Sequence, residues 1–205
     1  MDLTLDSLLL FVPAFVIAIA MHEASHAFAA TILGDPTPRV QGRLSLNPLR
    51  HLDPLGTITL FLVGFGWGKP VVVNPRYFKV NPLAGMALTA VAGPLMNVLL
   101  ALLFALPFRM QWHMVGWPLA FAEAVASINL LLAVFNLIPL PPLDGFSVLM
   151  GILPRPLAIK IAPLAQYGPG ALLAIFALGY VFKLNILGAI MAPPYHLLQP
   201  LIFGG

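Results

Sequence analysis

LLLFVPAFVIAIAMHEASHAFAATIL, from Leu8 to Leu33, is apolar almost throughout, yet it carries His22, Glu23 and His26. At 1.5 Å per residue, a helix of this length crosses a bilayer. Two imidazoles and a carboxylate at bilayer depth are costly unless something coordinates or protonates them. Residues four apart share a helix face, so His22 and His26 can turn ring nitrogens toward one metal ion. Glu23, one step round, can then take a proton from water that the metal activates, which is the chemistry of the zincin HExxH pattern. A non-catalytic metal site or a proton relay would use the same groups without a base.

The rest of the composition agrees with a membrane setting. Of 205 residues, 60% are hydrophobic and 8% charged, with a mean hydropathy of +0.96. Soluble domains are about one quarter charged, so this is an all-α multi-pass membrane protein. The net charge of +3 comes from scattered basic residues that form no continuous face, which argues against nucleic acid as a partner and for positive-inside topology. The absence of cysteine removes disulfides and thiolates, leaving histidine and carboxylate as metal ligands. Asp2 and Asp6 without a nearby Lys or Arg do not make the charged start of a secretory signal, so the first span is expected to stay in place.

The first span stops at Gly34-Asp35-Pro36, a helix-ending signal. The polar stretch that follows holds Arg39, Arg43, Arg50, Lys69, Arg76 and Lys79 and is expected in the cytoplasm. Within it, GTITLFLVGFGWGKPVVV, from Gly56 to Val73, is apolar but broken by glycines, and predicts a re-entrant, β-hairpin-like loop. Further apolar segments run from about Leu83 to Phe108, Val115 to Ile138, Ala171 to Phe182 and Leu184 to Leu201, giving five to six spans. With the N-terminus outside, Arg155 and Lys160 join the cytoplasmic group and only Arg109 and Lys183 lie outside. The whole chain, 1–205, is expected to be one domain, with a catalytic core over about 8–151 and C-terminal helices over about 168–203.

Zinc held by two histidines needs a third protein ligand. Asp35 and Asp53 fall in the basic loop, and Glu123 lies near the outer end of another span. Asp144 is the remaining candidate. It ends the run NLIPLPPLD, in which Pro139, Pro141 and Pro142 break an apolar helix. Broken helices at membrane depth line cavities or pack on protein, although the same run also reads as a plain Asp-Gly turn.

HEASH, GRLSLNPLRHLDPLGT, GWGKPVVVNPRYF, VAGPLMN and NLIPLPPLDG, taken together over roughly residues 15 to 150, resemble the site-2 protease family of intramembrane zinc metalloproteases, in a compact form without PDZ or CBS domains. The resemblance implies one zinc ion on His22, His26 and Asp144, Glu23 as general base, and cleavage of transmembrane helices near the cytosolic face. It also implies a prokaryotic inner membrane and regulated intramembrane proteolysis, with a membrane protein, expected to be single-span, as substrate and the lipid bilayer as surroundings.

Other residues have two readings each. Asn136 can hydrogen-bond the oxyanion or the substrate backbone, or else repair carbonyls freed by Pro139. Gly66, Trp67, Gly68 and Lys69 sit in a stretch, Gly64 to Val73, that can offer a strand edge to an unwound peptide or simply pack on the bundle. Gly93 to Asn97 reads as a small-residue helix contact with Asn97 as an interhelical hydrogen bonder. His51 and Asp53 read as turn caps, and His113 and His196 have no evident partner. A catalytically silent membrane scaffold is one rival, which would tolerate loss of the triplet. A small transporter is the other, but it needs a polar path through both leaflets, and the outer halves of these spans are almost wholly apolar.

Overall fold

The computed structural model describes residues 5–63 and 66–204. Its helices, in chain order, are α1 (Leu5–Ile32), α2 (Thr37–Val40), α3 (Pro54–Val63), α4 (Pro82–Arg109), α5 (Trp117–Asn136), α6 (Asp144–Ile152), α7 (Arg155–Ile161), α8 (Gly168–Phe182) and α9 (Ile186–Phe203). Among the described residues, five helical stretches are long and apolar enough to cross a membrane: Asp6–Ile32, Pro82–Arg109, Trp117–Asn136, Arg155–Phe182 and Ile186–Phe203. The fourth is longer than expected, because a tight helical segment, Ala162–Tyr167, joins α7 to α8.

The bundle is built around α4, which packs against α1, α5 and α6. Lipid tails are as apolar as leucine, so close backbone approach through small residues drives helix association. Accordingly Ala14, Ala18, Ala24, Ala27 and Ala30 of α1 are buried, as are Ala90, Gly93, Ala101 and Ala105 of α4. Leu88, Leu95, Leu99 and Leu103 of α4 point outward on the opposite stripe. Near the far end, Ala101, Ala105, Ala126, Leu130, Val134 and Ile202 form a cluster that ties α9 to α4 and α5. Arg109 fastens that contact, donating to the carbonyls of Leu201 and Ile202 at the C-terminus of α9.

The loop after α1 corrects one expectation. Residues 64 and 65 lie outside the described residues, but the described part of Gly56–Val73 forms no hairpin. Pro54–Val63 is helical, and one isolated antiparallel bridge joins Leu52 to Gly68. Asp53 is the cause: its carboxylate accepts from Gly56 N at 2.9 Å and its carbonyl from Thr57 N at 2.8 Å, which starts a helix. The Thr57 and Thr59 hydroxyls bond carbonyls of the same segment, so its polar groups need no partner strand.

Candidate metal centre

His22 and His26 lie on one face of α1 and are both buried. The proline-rich connection after α5 ends at Asp144, in the first turn of α6, and delivers its carboxylate to them. Asp144 Oδ2 is 3.1 Å from His22 Nε2 and 3.2 Å from His26 Nε2, and the two Nε2 atoms are 2.9 Å apart. PLPPLDG thus makes a turn that also brings the Asp144 carboxylate to the two histidines, as a metal site would require. Gly145 is needed there, since a Cβ would stand 2.3 Å from the Leu137 carbonyl oxygen. Gly93 is needed opposite, since a Cβ would stand 2.5 Å from both rings.

The tautomers follow from the partners. His26 Nδ1 donates to the Thr89 carbonyl at 2.7 Å, and His22 Nδ1 donates to Asn97 Oδ1 at 2.6 Å. The Asn97 amide can face only that way, because its nitrogen donates to the Ala18 carbonyl at 3.2 Å and to Asn129 Oδ1 at 2.8 Å. Both Nε2 atoms are thus left as lone pairs facing each other and an anionic oxygen. Asp144 Oδ2 is itself buried without a hydrogen-bond donor. Three converging electron-rich atoms suit a cation. Tetrahedral zinc with bonds of about 2.0 Å sets its donors roughly 3.3 Å apart, close to the separations found.

Glu23 sits beside the triad and faces a cation. Arg43 is buried, donates to the carbonyls of Arg50 and Lys69, and has a guanidinium nitrogen 3.7 Å from Glu23 Oε2. Burial lowers the pKa of Arg43, and the Glu23 carboxylate opposes that shift. In sequence Arg43 is one of several scattered loop cations, and nothing in its local sequence marks it as different. Asn97 is the interhelical hydrogen bonder that its sequence suggests, and its side-chain partner in α1 is His22, a metal-ligand candidate.

A cavity of about 710 Å³ opens from His22 and Glu23 between α1, α5, α8 and α9. Phe11, Phe15, Phe135 and Phe176 line it, together with Asn136, Gly66, Trp67 and Gly68. Asn136 donates to the Leu132 carbonyl at 3.0 Å, a bond within its own helix and not to a carbonyl freed by Pro139. Lys69 is not among the lining residues; its amide donates to the His51 carbonyl at 2.7 Å. Asp53 caps α3, and His51 is fully buried with Nε2 on the Ser45 carbonyl at 2.6 Å, away from the metal triad. The His196 ring meets Tyr195 edge-on.

Comparison with known proteins agrees with this geometry. A model of peptidase family M50 matches residues 110–176, which include α5, the proline-rich turn and Asp144. The chain is 40% identical over 169 residues to "Putative zinc metalloprotease YwhC" of Bacillus subtilis, covering 78% of this chain and 77% of that protein. It is 32% identical over 171 residues to "Putative zinc metalloprotease Rip2" of Mycobacterium tuberculosis, covering 80% of this chain and 65% of that protein. No solved structure matches. With a HExxH helix, a distant aspartate brought onto it and relatives of this extent, the chain belongs to the site-2 protease family, peptidase family M50.

Proposed function

We propose that this protein is a zinc-dependent intramembrane endopeptidase that hydrolyses peptide bonds within transmembrane segments of single-span membrane proteins, in regulated intramembrane proteolysis. The observation that carries the proposal is the convergence of His22, His26 and Asp144 donors beside an apolar cavity that His22 and Glu23 line. His22, His26 and Asp144 would hold the ion, and bound zinc supplies Lewis acidity to water and to the scissile carbonyl. Glu23 accepts the water proton and returns it to the leaving amine. Apolar walls accept a lipid-facing peptide, and Gly66, Trp67 and Gly68, which line the cavity together with Glu23, would flank it. Asn136, which also lines the cavity, would hydrogen-bond the peptide.

The basic loop and positive-inside bias support an N-terminus outside and a site opening toward the cytoplasm of a prokaryotic inner membrane. A transporter would need a polar route, and the cavity is lined mainly by phenylalanine, leucine and isoleucine. Co-expression with a single-span reporter tests the proposal. Cleavage by the wild type, lost in Glu23→Gln with zinc content retained, is expected; cleavage that persists in Glu23→Gln refutes the assigned base.

A further inference from the structure

We infer that Asn97 and Asn129 are positioning residues for the metal centre: a two-asparagine chain, running through α4 and α5, fixes the ring of His22 so that Nε2 faces the ion. The chain is continuous. His22 Nδ1 donates to Asn97 Oδ1 at 2.6 Å, Asn97 Nδ2 donates to Asn129 Oδ1 at 2.8 Å, and Asn129 Nδ2 donates to the Val125 carbonyl at 2.8 Å. Both asparagines are fully buried. Each hydrogen bond runs in one direction only, because the chain ends on a backbone carbonyl, which cannot donate. Turning the Asn97 amide over would set its NH2 against the proton of His22 Nδ1, and its oxygen against the Ala18 carbonyl and Asn129 Oδ1. The orientation of one ligand ring is therefore set two residues away, by α5.

His26 has a different arrangement. Its Nδ1 is held by the backbone of Thr89 and needs no side chain. The two histidines thus differ in what a substitution can reach, and only the His22 support can be removed by changing a side chain. Partners of a ligand's outer nitrogen orient the ring and raise its basicity, and losing one typically costs about 10–100-fold in metal affinity. The inference rests on the metal reading of His22 and needs no peptidase activity for its test.

The full chain in detergent is stripped of metal, and zinc affinity is measured by competition with a fluorescent chelator, beside the melting temperature of the metal-free form. Asn97→Ala is expected to weaken zinc binding by about 10–100-fold and to change the visible spectrum of the cobalt-substituted protein. Asn129→Ala is expected to weaken zinc several-fold, and to add nothing in the Asn97→Ala background, because it acts through Asn97. If these asparagines only join helices, the metal-free melting temperatures fall while zinc affinity and the cobalt spectrum stay at wild-type values, which overturns the role. Additive losses overturn the relay. Should Asn97→Ala fail to fold, Asn129→Ala alone decides, and unchanged affinity in it overturns the inference. A wild type that takes up no zinc overturns the metal reading and this role together.

Discussion

Arg43 and Glu23 face each other with 3.7 Å between a guanidinium nitrogen and Oε2, although one lies in a loop and the other within the first span. The same guanidinium holds the carbonyls of Arg50 and Lys69. One cation thus joins the candidate base to the segment beside Gly66, Trp67 and Gly68. Arg43→Ala removes two charge-assisted hydrogen bonds and leaves their carbonyls unpaired, a loss on the order of 3 kcal/mol. A lower melting temperature is expected, together with at least about a tenfold fall in reporter cleavage at unchanged zinc content. Arg43→Lys cannot span both carbonyls and is expected to recover little. Full activity in Arg43→Ala would show that Glu23 needs no cation beside it.

Glu23→Gln keeps the size of the side chain but cannot accept a proton. General-base loss typically costs roughly 10²–10⁴ in rate, so reporter cleavage is expected to fall into that range or below detection. Zinc content, measured on purified protein, is expected to stay level, since Glu23 is not among the three converging donors.

Much of this architecture was legible because it is written in short-range chemistry. The apolar runs gave four of the five spans to within a few residues, and HEASH needs only the helical repeat to align His22 with His26. Asp144 could be reached from the proline break and the lack of another suitable carboxylate. What the sequence hid depends on distant pairing. The apolar stretch around Gly56 has glycines that suggest a turn, but the cap from Asp53 decides for helix, and that cap reads equally as loop chemistry. Arg43 looks like any loop cation until the fold sets it against Glu23. Asn97 announces a hydrogen bond but not its partner.

Gly93 offers a test of crowding at the centre. An added Cβ would lie 2.5 Å from His22 Cε1 and from His26 Nε2, closer than real Cβ atoms approach, and the opposing atoms belong to ring positions held from behind by Asn97 and Thr89. Gly93→Ala is therefore expected to displace at least one ring. Overpacking typically costs about 1–3 kcal/mol in stability, and zinc affinity is expected to fall more than tenfold. Wild-type affinity in a folded Gly93→Ala protein would mean that the rings are free to turn aside, contrary to their hydrogen bonds.

Asp144 carries the last prediction, because it brings the start of α6 onto the two histidines of α1. Its Oδ2 lies within 3.2 Å of both imidazoles and has no hydrogen-bond donor, an arrangement that suits an anion facing a cation. Asp144→Ala removes the donor, and Asp144→Asn keeps the shape while removing the charge. Losing a direct ligand is expected to exceed the roughly 10–100-fold that an outer hydrogen-bond partner costs, so both variants should lose zinc on dialysis that the wild type survives. Gly145→Ala supplies the control in backbone position: its Cβ would meet the Leu137 carbonyl at 2.3 Å, shift the start of α6 and move an intact Asp144 carboxylate away. Weakened zinc binding in all three variants places the requirement on both the charge of Asp144 and the turn that aims it. Full zinc occupancy in Asp144→Ala would remove it from the ligand set, whatever Gly145→Ala does.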